Sequence, residues 1–124
     1  MDGIQVTVRT PLHATERRGS VENAVRNLFP DAGFEEDDGT LVARSEDVSG
    51  LRELAEQHGV QPTLSEELTD SVVGNTVAFR LSKQPATVGR LNLDVGGHEL
   101  GALRVRIETD DTDELIRYLT GADA

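Results

Sequence analysis

Basic residues are concentrated in one segment of an otherwise acidic chain. The whole sequence has 23 acidic residues against 12 basic ones, whereas residues 71–107 hold five bases and only two acids, Asp94 and Glu99. The five bases are Arg80, Lys83, Arg90, Arg104 and Arg106. Guanidinium and ammonium groups bind anionic oxygens, so a cluster of them is a candidate surface for an anionic partner. Charge alone predicts the place of binding and leaves the partner open.

Alternation along the predicted strands places these bases on one surface. Val77, Phe79 and Leu81 alternate as the buried side of a strand, so Arg80 points away from the core. The same alternation turns further side chains outward from three other predicted strands: Arg9, Arg90, Asn92, Arg104 and Arg106. If these strands form one sheet, five arginines stand on its uncovered face, with Lys83 at one end. We call this uncovered sheet surface the basic face.

The other residue types that could do chemistry do not form a recognisable site. The chain has no cysteine, which excludes disulfides and cysteine-ligated zinc. His13, His58 and His98 lie in separate predicted segments without metal-ligand spacing, which favours surface or capping roles. Paired aspartates at 37–38 and 110–111 suit a turn and a helix N-terminus better than a cation site. We therefore expect a protein that is not an enzyme and that holds no cofactor or metal.

Length and composition predict one folded domain, residues 1–124. Leu, Ile, Val and Phe supply 33 of the 124 residues, which is enough for a hydrophobic core. No apolar run approaches the ~20 residues that span a bilayer. The N-terminus lacks the basic flank and apolar stretch of a signal peptide. A soluble cytoplasmic protein without a membrane partner is the expectation.

The balance of charged residues is typical of an extreme halophile. Eleven of the twelve bases are arginine, the net charge is −11, and the aromatic residues are three Phe and one Tyr. Salt near 1 M shortens the Debye length to ~3 Å, so attraction to phosphate would be weak on its own. RNA binding under such conditions would depend on shape, hydrogen bonds and 2′-OH contacts.

The sequence pattern of the first 45 residues predicts a strand, a helix and a hairpin. Residues 4–8 alternate apolar and polar side chains, which predicts a strand that ends at Pro11. Apolar residues at helical spacing follow in 21–28, with Ser20 as one candidate N-cap and a start nearer Thr15 as the alternative. An Asp-Gly pair, Asp38-Gly39, then predicts a hairpin between residues 32–36 and 40–45.

The remaining elements complete a mixed architecture. A second helix is predicted from about Asp47 to Gly59, and a short third helix within 62–70. Three strands are predicted around 77–81, 91–95 and 103–107, with a turn at Gly96-Gly97 between the last two. A last helix is predicted to be capped by Asp110 or Asp111 and to end at Gly121. The order of strands and helices predicts an α+β fold. We expect a two-layer sandwich, a mostly antiparallel sheet with helices on one face.

Residues 74–86, Gly-Asn-Thr-Val-Ala-Phe-Arg-Leu-Ser-Lys-Gln-Pro-Ala, resemble the signature of an archaeal family. Its members carry Gly-Asn-x-x-x-Phe-x-Leu-Asn-Lys-Gln-Ala-Ala followed shortly by Gly, here Gly89. Similar segments lie at 8–11, 28–32 and 107–109, so the resemblance to uncharacterised protein family 0201 covers nearly the whole chain. Ser82 and Pro85 depart from the signature, and residues 59–73 form a shorter, more acidic stretch than is usual in the family.

The resemblance implies a fold similar to large-ribosomal-subunit protein five and an RNA-binding function. On this hypothesis the bases contact phosphate or sugar and the amides give directional hydrogen bonds, with these residues as the candidate site: Arg9, Asn75, Arg80, Lys83, Gln84, Arg90, Asn92, Arg104 and Arg106. Asn75 also fits ordinary turn chemistry after Gly74. One alternative is an interaction module that docks an acidic protein or forms a homodimer. A third is a small-ligand protein or enzyme linked to coenzyme A metabolism, which a label of the family's halophilic members suggests.

Overall fold

The computed structural model describes residues 3–12, 14, 16–82, 86 and 102–121. Its elements, in chain order, are β1 (Gln5–Pro11), α1 (Arg18–Leu28), β2 (Gly33–Asp37), β3 (Thr40–Ser45), α2 (Ser49–Gln57), α3 (Gln61–Ser71), β4 (Thr76–Ser82), β5 (Ala102–Glu108) and α4 (Thr112–Thr120). The predicted strand at 91–95 and the turn at Gly96-Gly97 lie outside the described residues.

The five strands form one sheet in the order β2-β3-β1-β5-β4. Every neighbouring pair is antiparallel. Because β5 pairs with both β1 and β4, strands from the two ends of the sequence meet near the middle of the sheet. The α+β prediction with an antiparallel sheet is confirmed, while the likeness to large-ribosomal-subunit protein five stays a prediction.

One side of the sheet is buried beneath the helices. Val8 of β1 and Val105 of β5 are both buried, and they belong to the same apolar cluster as Leu28 of α1, Leu51 of α2 and Leu115 of α4. Fully burying a side chain of this size stabilises the fold by about 1.5–3 kcal/mol. The alternate residues of each strand are left for the opposite face of the sheet.

Local sequence determines the β2–β3 hairpin. Asp38 and Gly39 have φ angles of 48° and 79°, and they are the two residues between the paired positions Asp37 and Thr40. Positive φ at both central residues is the requirement of a type I′ turn, which Asp-Gly satisfies at little steric cost. The predicted hairpin is therefore confirmed.

The N-cap predictions have different outcomes. Asp111 accepts a hydrogen bond from the Glu114 amide at 3.0 Å and caps α4, as one of the two predicted options requires. Ser20 as the N-cap of α1 is wrong, because α1 begins at Arg18 and the Ser20 amide already donates to the Arg17 carbonyl at 3.0 Å. The cap residue of α1 is Arg17, whose side chain makes no capping hydrogen bond.

The segment that joins α1 to β2 is held against the start of α2. A Cβ on Gly50 would lie 2.7 Å from the Leu28 carbonyl oxygen and 3.2 Å from Cδ of Pro30. Asp31 accepts hydrogen bonds from the Ser45 hydroxyl and from the Glu46 amide, the latter at 3.2 Å. The family-like segment 28–32 therefore has a structural role, which is to join α1, β3 and α2.

Gly50→Ala tests this close approach. We expect a loss of about 1–3 kcal/mol in the free energy of unfolding, because a backbone oxygen cannot move away without shifting α1. Gly19→Ala is the matched control, since Gly19 also lies in a helix but nothing stands within 4 Å of the position that a Cβ would take there. The Gly19→Ala control should raise the free energy of unfolding, measured in urea, by about 0.5–1 kcal/mol, because alanine favours the helix more than glycine does. Equal effects of the two substitutions would contradict the packing described.

A second stability prediction concerns Asp47, just before α2. Hydrogen bonds from the Ser49 amide and then the Ser49 hydroxyl hold the pKa of Asp47 below its usual value of 3.8. A lowered pKa stabilises the fold above the unfolded-state value, and that contribution is lost as the pH falls through the folded-state pKa. Asp47→Ala should therefore lower the free energy of unfolding by about 0.5 kcal/mol at pH 7, a small loss because the carboxylate is exposed, and the difference from wild type should shrink below pH 3.8. Glu46→Ala is the control, and a cost for Asp47→Ala that persisted unchanged at pH 2–3 would argue against this role.

Candidate nucleic-acid interface

Three arginines lie side by side across three adjacent strands. Arg9 of β1 pairs directly with Arg104 of β5, and Arg104 pairs with Arg80 of β4. All three side chains are exposed on the sheet face away from the helices. Neighbouring strands are about 4.8 Å apart, so the row extends over about 10 Å. We call these three residues the arginine row.

A second line of residues runs parallel to the arginine row. Thr7 pairs with Arg106 and also with Arg44, so the two arginines flank it on the same face. Arg106 lies 3.8 Å from the Glu108 carboxylate, and its side chain is 63% exposed. The structure thus places four predicted bases together on the basic face: Arg9, Arg80, Arg104 and Arg106.

Arg44 is a basic-face residue that the sequence analysis missed. It forms an ion pair with Glu35 of β2, so part of its charge is neutralised. Alternation within β3 was the available signal, since Arg44 stands between the buried residues Ala43 and Ser45. Its place on the basic face depends on β3 pairing with β1, which the sequence does not specify.

The arginine row differs from the helical arginines in its ionic environment. Arg18 and Arg26 both pair with Glu22, at 2.8 Å and 3.6 Å. Arg9, Arg80 and Arg104 make no ion pair with any residue that the structure describes. Paired strand positions are about 5 Å apart, and two unit charges at that separation in water repel by about 0.8 kcal/mol, so the row carries an electrostatic cost that no ion pair relieves among the described residues. An anion bound across the row would remove that cost.

The arginine row lines a groove of about 630 Å³. The groove is also lined by Thr7 and Arg106, and among the described residues its acidic lining is Glu67 of α3 and Glu108 of β5. A volume of a few hundred Å³ is typical of sites for small ligands or for single nucleotide units. The groove is therefore basic along the sheet and acidic at two points of its edge.

Asn75 lies away from the arginine row. It occupies the second central position of a tight turn, in which Val73 and Thr76 exchange backbone hydrogen bonds of 2.9 and 3.0 Å and Gly74 has a φ of 61°. The Asn75 carbonyl accepts the Thr109 amide at 2.9 Å, and its side-chain oxygen accepts the Thr76 hydroxyl at 3.4 Å. Five residues of strand separate it from Arg80, about 17 Å. These contacts favour the turn interpretation.

The other predicted site residues, Lys83, Gln84, Arg90 and Asn92, lie outside the described residues, as do His13 and His98. Within the described part of the chain, no three His, Cys, Asp or Glu side chains converge as they would around a metal ion. None of the described helices has the length and apolar character needed to cross a bilayer.

Removing the central arginine of the row should stabilise the fold. Arg104→Gln removes the like-charge repulsion with Arg9 and with Arg80, so we expect the free energy of unfolding to rise by about 0.5 kcal/mol in 0.2 M KCl. The gain should disappear in 2 M KCl, because salt screens the charges. Arg44→Gln is the matched control. It breaks the ion pair with Glu35, so it should lower the free energy of unfolding by about 0.2–1 kcal/mol. Urea unfolding at both salt concentrations measures the difference. A loss for Arg104→Gln as large as for Arg44→Gln would contradict the repulsion.

Relatives in sequence are UPF0201 proteins of archaea. The UPF0201 protein of Methanothermobacter thermautotrophicus is 32% identical over 118 residues, which cover 93% of this chain and 89% of that protein. The UPF0201 protein of Sulfurisphaera tokodaii is 30% identical over 126 residues, covering 94% of this chain and 86% of that protein. A longer UPF0200/UPF0201 protein of Archaeoglobus fulgidus is 34% identical over 90 residues, and this chain spans 28% of its length.

Solved structures show the same architecture. A crystal structure of an uncharacterised UPF0201 protein superposes with a TM-score of 0.87 at 28% identity, covering 94% of this chain and 92% of that one. The UPF0201 protein of Methanococcus jannaschii gives a TM-score of 0.85 at 26% identity, with 94% and 98% covered. A family model described as RNA binding matches residues 5–109, which contain all five strands. The chain belongs to this archaeal UPF0201 family, as the resemblance of residues 74–86 predicts.

Proposed function

We propose that this protein is a non-enzymatic RNA-binding module whose basic face contacts phosphate and sugar oxygens. The observation that carries the proposal is the arginine row, three exposed arginines in register across β1, β5 and β4. The RNA-binding description of the family model supports the choice of RNA as the anionic partner.

The chemistry of the arginine row suits a phosphate backbone. Each guanidinium presents a planar fork of N–H donors that binds two phosphate oxygens at once. Stacked nucleotides rise about 3.4 Å each along the helix axis, and successive phosphates are farther apart along the backbone itself, so a row of about 10 Å spans roughly two to three nucleotides. Since no described carboxylate pairs with Arg9, Arg80 or Arg104, their donors are available without breaking an ion pair.

Recognition by aromatic stacking is absent from the described part of the basic face. Phe29 and Phe79 are buried in the core. Phe34 lies beneath the guanidinium of Arg26 at 4.8 Å, and Tyr118 beneath that of Arg52 at 4.6 Å. Proteins that bind single strands without sequence preference commonly stack bases on such rings. Here the contacts to RNA would be hydrogen bonds to phosphates, to 2′-hydroxyls and to base edges, and the flat guanidinium groups of the arginines would be the surfaces on which a base can stack.

The remaining candidate residues belong to the same proposal. Lys83, Gln84, Arg90 and Asn92 follow β4 in the sequence and stay candidate RNA contacts outside the described residues. Asn75 would contribute only at the far end of β4, where its side chain already accepts a hydrogen bond from Thr76. Among the described candidates, the arginine row is therefore the part of the site that the experiment below tests.

Neutralising the arginine row tests the proposal. The triple variant Arg9→Gln, Arg80→Gln, Arg104→Gln should lose most binding to a fluorescein-labelled single-stranded RNA, followed by anisotropy between 0.1 and 1 M KCl. The loss of at least two phosphate contacts should also flatten the slope of log affinity against log salt by about 1.5.

The matched control changes the same number of charges on the helices. Arg18→Gln, Arg26→Gln and Arg52→Gln alter three exposed or partly exposed helical arginines and should leave affinity and slope near wild type. If the arginine-row variant bound RNA as tightly as wild type, or if the helical variant lost binding equally, the proposal would be wrong. The interaction module would instead be favoured if the arginine-row variant bound RNA like wild type but no longer bound an acidic protein partner or formed a dimer.

A further inference from the structure

Glu67 stands at one end of the arginine row. It lies on α3, outside the sheet, yet it lines the same groove as Arg80 and Arg104. Its side chain is exposed and makes no ion pair or hydrogen bond with any described residue. The charged residues that line the groove are mostly arginines, and an unpaired carboxylate there would weaken phosphate binding close by. Glu67 therefore suits a contact other than phosphate.

The contact between α3 and β4 fixes the position of Glu67. The Ser71 hydroxyl accepts the Ala78 amide at 3.2 Å, which ties the end of α3 to the outer edge of β4. The turn at 73–76 then reverses the chain, so α3 and β4 run in opposite directions. One helical turn back from Ser71, about 6 Å, reaches Glu67. Two residues forward from Ala78, about 6.8 Å, reach Arg80, so we infer that Glu67 and Arg80 lie at about the same level along β4.

The pair of Glu67 and Arg80 offers two different contacts to one nucleobase. A guanidinium plane stacks on the face of an unpaired base, which replaces the aromatic ring that the described face lacks. A carboxylate beside that plane accepts hydrogen bonds from the edge of the same base, and an ionised carboxylate is an acceptor only. Arg104 and Arg9 continue the row and remain available for the adjoining phosphates.

We propose that this end of the groove binds an unpaired guanine of single-stranded RNA, with Arg80 stacked on the base and Glu67 bonded to its Watson–Crick edge. Guanine presents two adjacent donors there, the N1–H and the N2 amino group, which match the two oxygens of a carboxylate. Adenine and cytosine present a single amino group beside an acceptor nitrogen, and uracil presents one N–H between two carbonyl oxygens that the carboxylate repels. The inference rests on the proposed RNA-binding function and adds the base that the groove selects.

Inosine separates this contact from all others, because it differs from guanine only in lacking the N2 amino group. We would measure anisotropy with three labelled 12-nucleotide RNAs, a uridine tract with one central guanine, inosine or adenine. Wild type should bind the guanine RNA about tenfold more tightly than either of the others, the discrimination expected for one bidentate pair. Glu67→Gln replaces one acceptor oxygen by an amino donor, so the partner of the guanine N2 amino group is lost. The Glu67→Gln variant should therefore bind the guanine and inosine RNAs with equal affinity.

Glu108→Gln is the matched control. It makes the same change in charge within the same groove, but Glu108 already faces Arg106 at 3.8 Å, so the tenfold preference for guanine should remain. Equal wild-type affinity for the guanine and inosine RNAs would overturn the guanine inference and leave the RNA-binding proposal standing. A guanine preference that survived Glu67→Gln would overturn the role of Glu67. No binding of any of the three RNAs would overturn the proposed function and this inference together.

Discussion

The pairing of β5 with both β1 and β4 is the constraint on which the basic face depends. Its register places Arg104 opposite Arg9 on one side and opposite Arg80 on the other. A shift of one residue would turn every side chain of β5 to the opposite face of the sheet, burying Arg104 and exposing Val105. The apolar cluster that contains Val105 and Ile107 therefore holds the arginine row in place from the other side of the sheet.

The fold maintains a charge arrangement that is unfavourable in the free protein. Helical arginines such as Arg18 and Arg26 share an ion pair with Glu22, whereas the residues of the arginine row repel one another and pair with no described carboxylate. Burial beneath the sheet offsets this cost, since one buried aliphatic side chain contributes about 1.5–3 kcal/mol against roughly 0.8 kcal/mol for a pair of exposed like charges. Packing of α3 also brings in Glu67, which with Glu108 of β5 makes up the acidic lining of the groove among the described residues.

Features set by neighbouring residues could be predicted from the sequence, and features set by register could not. The Asp38-Gly39 turn and the outward direction of Arg80, Arg104 and Arg106 follow from φ preferences and from alternation along a strand. The arginine row joins positions 9, 80 and 104, so it depends on pairing between distant segments. Arg44 and Glu67 were missed for the same reason, because only the packing of β3 and α3 brings them to the groove.

The central claim is that RNA contacts the arginine row, and side-chain NMR tests it most directly. In a titration of the ¹⁵N-labelled protein with single-stranded RNA, the Nε–H resonances of Arg9, Arg80 and Arg104 should shift together and saturate at one equivalent. Those of Arg18 and Arg26, already paired with Glu22, should stay in place. Shifts confined to the helical arginines, or none at all at RNA concentrations that saturate binding, would contradict the account.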